Sequence, residues 1–199
     1  MIKPLIAVPT CEEFADRRQA CLDTWANTHL CDVRFFTAAD LNIPASADKC
    51  YTDYRKHHIK PHESLSYRTR EICRWALSTD YTHVFKCDDD TFVRVPRLLA
   101  SGFEQFHYSG YVHVHVPLFC SGGAGYWLDR RAIELIAAEE NPQESEDVWV
   151  GGVLLNAGIT AHMDERYRPD LPKKIPADFI TLHYVKDPAL MHSLQARYA

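Results

Sequence analysis

The chain lacks the usual nucleotide-loop and hydrolase signatures. It contains no G-x-x-x-x-G-K-[ST], which excludes a P-loop nucleotide hydrolase. It has no G-x-G-x-x-G after its first apolar run, so it carries no dinucleotide fingerprint. It also has no G-x-S-x-G elbow of the serine hydrolases. Seven cysteines stand at positions 11, 21, 31, 50, 73, 87 and 120, and no two form a C-x-x-C pair, so the common sulfur–zinc pattern is missing. Their number is odd and their spacing scattered, which reads as mostly buried free thiols in a reducing compartment. There is no long hydrophobic run. The uncharged stretch Tyr111 to Leu128 is broken by two histidines, a proline, three glycines and a serine, so it cannot span a membrane as a helix. Excess positive charge is lacking too. The 22 Lys and Arg stand against 27 Asp and Glu, a net charge of −5, which argues against sequence-independent binding of nucleic acid.

What remains is an ordinary globular composition: 199 residues, 46% apolar and 25% charged, without repeats or low-complexity segments. We read one compact domain over residues 1–199. The apolar stretch at the N-terminus is too short for a signal peptide and reads as a first strand, Leu5 to Val8. A helical segment from Phe14 to Trp25 and a second strand, Val33 to Phe36, complete a β–α–β start, the mark of a parallel sheet flanked by helices. Residues 40–62, with Pro44, Pro61, His57, His58 and His62, read as a loop whose histidines lie at the surface. From Glu63 to Thr79 the 3.6-residue period gathers Leu65, Thr69, Ile72, Cys73 and Ala76 on one face. Arg68, Arg70 and Arg74 fall largely elsewhere, where most helix arginines are solvated. His83 to Cys87 reads as a strand, 96–107 as a helix opened by Pro96, and Tyr111 to Leu118 as a half-exposed strand with Val112, Val114 and Val116 on one side and His113 and His115 on the other. Ser121 to Gly125 reads as a flexible turn and Asp129 as the cap of a helix that buries Ile133 and Ile136. A helix from Ser145 to Asn156 stops at Gly158, and 159–163 and 179–184 read as final strands.

Three places can carry chemistry. Asp88, Asp89 and Asp90 follow directly on an apolar strand. Adjacent carboxylates repel unless a cation or hydrogen bonds offset the repulsion, and strand C-termini are where α/β sheets bind ligands. Hard oxygen ligands suit Mg²⁺ or Mn²⁺, which can bridge a diphosphate, but a solvated acidic turn has the same sequence. Asp147, in Glu146-Asp147-Val148-Trp149, either complements the dipole at a helix start or acts as a general base whose pKa its apolar neighbours raise. His183 ends the last predicted strand. It is either structural or an imidazole ligand, which fits Mn²⁺ better than Mg²⁺. The arginine pairs Arg17-Arg18 and Arg68-Arg70 are either solvated or phosphate binders.

In order along the chain, Arg17-Arg18 … Thr24-Trp25, Lys86-Cys87-Asp88-Asp89-Asp90-Thr91-Phe92-Val93, Ser121-Gly122-Gly123-Ala124-Gly125-Tyr126, Glu146-Asp147-Val148 … Gly151 … Gly158-Ile159, and Leu182-His183-Tyr184-Val185 … Pro188 … Met191 resemble the motifs of the fringe and β-1,3-galactosyltransferase family, which includes core 1 synthase. The resemblance implies a GT-A fold, a mixed and mostly parallel α/β sheet flanked by helices. It implies an inverting glycosyltransferase that uses a UDP-sugar and Mn²⁺ (or Mg²⁺), with a glycan or glycoconjugate as acceptor. Carried onto this chain, it makes Asp88, Asp90 and His183 the metal ligands and Asp147 the base. It places Thr10, Arg18, Arg68 and Asp89 near the nucleotide, and Gly122 and Gly123 where backbone approaches the donor sugar. The family often has another Arg before its Thr-Trp pair, where this chain has Leu22 or Asp23. The family's N-terminal anchor and stem are not in this sequence. The short form and scattered cysteines imply a cytoplasmic member of bacterial or viral type, or a Golgi-lumen one if an anchor has been removed. Taken without the resemblance, the acidic cluster also fits a metal-dependent phosphohydrolase or nucleotidyltransferase, or a non-catalytic sugar-nucleotide-binding module.

Overall fold

The computed structural model describes residues 2–43, 65–114, 118–142 and 145–198. The expected loop with His57, His58 and His62, the start of the next helix at Glu63, Cys50, His115 and Val116 lie outside the described residues. A six-stranded sheet organises the chain. Its strands are β1 (Pro4–Pro9), β2 (Asp32–Phe36), β3 (His83–Lys86), β5 (Tyr108–Gly110), β8 (Tyr126–Asp129) and β9 (His162–Met163), in the order β2-β1-β3-β8-β5-β9. β1 is parallel to both β2 and β3, and β5 is parallel to β9; β8 alone runs antiparallel to its two neighbours. This is the mixed, mostly parallel sheet expected of a GT-A-type fold.

The first strand shows why the sheet has two cores. Leu5 and Ala7 face one cluster, with Val84, Leu128, Ile133 and Ile136, while Ile6 and Val8 face the other, with Phe85, Trp127, Trp25 and Phe92. Side chains alternate across a strand, so a run apolar at every position must be covered on both faces. All four are fully buried, and each contributes about 1.5–3 kcal/mol to folding except the small Ala7. Helices α2 (Leu65–Leu77), α4 (Arg130–Ala138) and α5 (Glu146–Asn156) cover the first face. Helix α1 (Ala15–Cys21) and its continuation to Ala26 lie on the second, with the C-terminal α6 (Pro188–Tyr198), which no sequence signal announced. Asp129 caps α4 as expected, its carboxylate accepting from Ala132 N at 2.9 Å. None of the helices among the described residues is long and apolar enough to cross a membrane.

A second, three-stranded sheet positions the site. It pairs β10 (Tyr167–Arg168), β11 (Thr181–Leu182) and β4 (Phe92–Val93), with β11 antiparallel to β4 and Leu182 opposite Phe92. Continuing that register by one residue sets His183 opposite Thr91, beside the acidic triplet.

The structure corrects several local expectations. The segment 96–107 is not one helix: α3 spans only Val95–Leu99, the chain turns at Gly102 (φ +85°), and a 3₁₀ turn follows at Phe103–Gln105. The strand expected over 111–118 is instead a hairpin of β6 (Val112–His113) and β7 (Phe119–Cys120), because the chain leaves the main sheet after Gly110. Val114, which alternation would bury, is 86% exposed. Arg68 and Arg70 are buried rather than solvated. Arg68 donates to Thr10 O, and Arg70 closes the end of α4 by donating to the carbonyls of Glu139 and Glu140. Guanidinium groups satisfy orphan carbonyls, and this outweighs the desolvation of the charge. Of the seven cysteines, Cys11, Cys21, Cys73, Cys87 and Cys120 are buried free thiols and Cys31 is a half-buried one.

Candidate functional site

A cavity of about 500 Å³ opens at the C-terminal end of β3. Three segments form much of its lining: the acidic turn after β3, the glycine turn before β8, and the first turn of α5. Antiparallel pairing of β3 with β8 sets Lys86 opposite Tyr126, so the turn that precedes Tyr126 must lie beside the turn that follows Lys86.

Asp88, Asp90 and His183 form a compact cluster on one wall. One ligand atom from each lies within 4.8 Å of the others. His183 Nε2 is 3.2 Å from Asp90 Oδ1 and 3.8 Å from Asp88 Oδ2. The ring's other nitrogen, Nδ1, donates to Pro169 O at 3.0 Å. That bond directs Nε2 at the carboxylates, as the outer partner of a metal-bound imidazole does. Burial works to lower the His183 pKa, but the bond to Asp90 and the charges of Asp88 and Asp90 outweigh it and the net shift is upward. Burial likewise pushes Asp90 up, and the bond from His183 outweighs it downward. Three such groups within 4.8 Å of one another are close enough to share one divalent cation. The donor set, two carboxylates and one imidazole, fits such an ion chemically.

Asp89 turns away from this cluster. Thr10 Oγ1 donates to its Oδ2 at 2.8 Å, and Arg17 lies 3.8 Å from its Oδ1. Burial and the two flanking aspartates push its pKa up to about 7 against the pull of Thr10 and Arg17. Thr10 is itself fully buried and reaches the cavity only through Asp89. Of the arginines carried over from the family motifs, neither Arg18 nor Arg68 lines the cavity. Arg18 pairs with Glu12 at 3.8 Å on the outer side of α1, and Arg68 is locked under Thr10. Arg17, one position earlier on the helix, is the one that faces in, its guanidinium 4.2 Å from the Phe14 ring. On an α-helix one residue is a 100° step, so only one of two adjacent arginines can face the site.

Another wall begins at Ser145, whose backbone is left-handed (φ +59°). Asp147 lies half-buried on the cavity wall, its Oδ2 accepting from Gly122 N at 3.4 Å. The expected apolar surroundings belong to its neighbours instead: Trp149 packs into the core. It is Glu146 that is fully desolvated, its pKa raised by burial against the pull of Lys86. Both acids also stand in the first turn, where they complement the helix dipole as the structural reading expects.

Gly122 and Gly123 line the cavity, and their missing side chains matter to protein groups first. A Cβ on Gly123 would occupy the position of the His183 imidazole, and one on Gly122 would lie 2.5 Å from Glu146 Oε2. The expected flexible turn is tied down throughout. Thr91 Oγ1 donates to Gly123 O at 2.6 Å, Lys86 Nζ to Gly122 O at 3.2 Å, and Gly125 N to Ser121 O at 3.2 Å.

Several cavity residues escaped the sequence reading as site residues. Tyr184 has a left-handed backbone (φ +63°) and stacks on His183 at 4.0 Å, and Lys186 lies 5.1 Å over the Tyr184 ring. A bulky residue at positive φ is a conformational outlier of the kind that clusters at functional sites, and no sequence signal marks it. His113, expected at the surface, faces the cavity between the rings of Tyr111 and Phe119. Lys86 is buried beneath the floor.

No family model matches this sequence, and no curated protein matches it. Among solved structures, the fold is similar to the crystal structure of a glycosyltransferase involved in the glycosylation of the major capsid of PBCV-1. The identity is 11%, the TM-score is 0.56, and the match covers 96% of this chain and 98% of that one. The likeness thus extends over essentially the whole of both chains, and what it establishes is the fold: a GT-A-like α/β fold shared with a glycosyltransferase.

Proposed function

We propose that this protein is a metal-dependent inverting glycosyltransferase. It would move a hexose or N-acetylhexosamine from a UDP-sugar to a hydroxyl of a glycan or glycoconjugate, forming a β-1,3 linkage of the kind made by the fringe and β-1,3-galactosyltransferase family. The observation that carries the reading is that the Asp88–Asp90–His183 cluster and Asp147 line one cavity, on a fold shared with a glycosyltransferase. The cavity's volume is ordinary for a site of this kind.

Asp88, Asp90 and His183 would hold Mn²⁺ or Mg²⁺, and the chemistry such an ion supplies when bound is stabilisation of charge on the departing diphosphate. The chain's own residues do the rest. Asp147 accepts the proton of the acceptor hydroxyl as its oxygen attacks the anomeric carbon. The new carbon–oxygen bond forms on the face opposite the UDP, whose bond to the same carbon breaks with its electron pair. One displacement converts an α-linked donor into a β-linked product. The Gly122 amide, bonded to the Asp147 carboxylate, keeps the base aimed into the cavity. Phe14 and Arg17, with Asp89 and Thr10 behind them, form the wall against which we place the nucleoside.

Calorimetric titration of UDP with Mn²⁺ and then with EDTA tests the reading. Binding that requires the ion is expected, followed by release of intact UDP from one member of a panel of UDP-sugars. Absence of UDP binding in both conditions overturns the reading. Release of phosphate or pyrophosphate favours a phosphohydrolase or nucleotidyltransferase instead.

A further inference from the structure

Lys86 is the only buried lysine among the described residues, 1% exposed, and the mechanism above makes no use of its charge. An ammonium is expensive to desolvate unless its partners are well placed. Here Nζ donates to three oxygens on three segments: Asp88 Oδ1 at 2.8 Å, Gly122 O at 3.2 Å and Glu146 Oε2 at 3.4 Å.

The three partners are not incidental. Lys86 takes one oxygen of Asp88 and leaves the other, Oδ2, facing His183 Nε2. Gly122, whose carbonyl the lysine holds, offers its own N–H to Asp147. Glu146 precedes Asp147 and is anchored from behind by the Thr69 and Tyr126 hydroxyls. One cation therefore sits a single step from a metal-ligand carboxylate and a single step from the proposed base.

We infer that Lys86 is a positioning residue that ties the two walls of the cavity together, orienting Asp88 to ligate through one oxygen and fixing the Gly122 peptide and the first turn of α5 against it. The inference rests on the glycosyltransferase reading and names the element that couples its metal ligands to its base. A lysine that merely filled the core would not affect cation affinity once its charge partner was neutralised with it.

The test compares Mn²⁺ binding, followed by calorimetry and by the electron paramagnetic resonance signal of free Mn²⁺, in the wild type, Lys86→Met and Lys86→Met/Glu146→Gln. The double variant leaves no buried carboxylate without its cation, and its fold is checked by circular dichroism and thermal melting. Mn²⁺ affinity is expected to fall by about 10- to 100-fold, the range for losing an outer partner of a metal ligand. A folded double variant with unchanged Mn²⁺ affinity overturns the inference. A second measurement needs no variant: in a Mg²⁺ titration read on lysine side-chain nitrogens, the Lys86 Nζ–H signal, sheltered by burial, is expected to shift at saturation. An unmoved signal overturns the inference as well. A wild type that binds neither ion overturns both this role and the glycosyltransferase reading, whereas a wild type that binds beside an indifferent variant overturns the lysine's role alone.

Discussion

The two walls of the cavity are built from different kinds of contact. The wall with Asp88, Asp90 and His183 is assembled from far-apart segments: the acidic turn follows β3 in mid-chain, and His183 arrives through the pairing of β11 with β4 near the C-terminus. The wall with Asp147 is local, a helix start whose two acids are neighbours in sequence. They have opposite environments. Glu146 is buried among Lys86, Thr69 and Tyr126, while Asp147 looks into the cavity beside Gly122. The difference teaches that the first wall is sensitive to any shift of a distant strand and the second rests on a buried ionic base; on the proposed function the first would bind and the second would react.

That division can be broken from either side. The largest effect is expected for Asp90→Ala, which removes a proposed metal ligand and the partner of His183. Mn²⁺-dependent UDP binding should weaken by more than the ~100-fold at the top of the range for outer-partner loss, and transfer should vanish with it, as calorimetry and a UDP-release assay would record. Asp147→Asn should do the reverse, with turnover falling about 10²- to 10⁴-fold while UDP and Mn²⁺ still bind. An Asp147→Asn protein that turns over normally removes the base assignment and with it the contrast between the walls. A smaller effect is expected for Gly123→Ala, whose added methyl group claims the space of the His183 ring. Mn²⁺ affinity should drop about tenfold as the imidazole is displaced, measured in the same titration. The smallest comes from a site outside both walls: Asp129→Ala deletes the cap of α4 and should cost about 1 kcal/mol in urea unfolding, leaving Mn²⁺ affinity untouched. If the cap variant also weakened the ion, the two walls would not be separable from the stability of the domain.

Reading the sequence went furthest where the signal is periodic or adjacent. The apolar run of β1, the face of α2, the capping Asp129 and the acidic turn at a strand's end all stand in the folded chain as their local patterns require. It failed on elements too short to have a period. β4 and β10 have two residues each, and two residues cannot alternate; β9 and β11, just as short, lie inside the strands expected over 159–163 and 179–184. It failed again on charged residues whose burial depends on distant partners. Arg68 looks like a solvated cation in a one-dimensional reading, and nothing there marks Lys86 as buried; only the carbonyls and carboxylates brought to them by the fold decide that.

By itself the sequence determined that three carboxylates would stand at the end of a buried strand and that Asp147 would stand in a helix's first turn, because strand and helix are set by nearest neighbours along the chain. Which cations, rings and imidazoles meet those carboxylates was decided only by tertiary structure. Arg17 and not Arg18 turns inward because of how α1 docks on the sheet, and His183 reaches Asp90 because Leu182 pairs with Phe92. A strand register slipped by one residue would point every side chain to the other face, and no local pattern at 181–183 fixes that register.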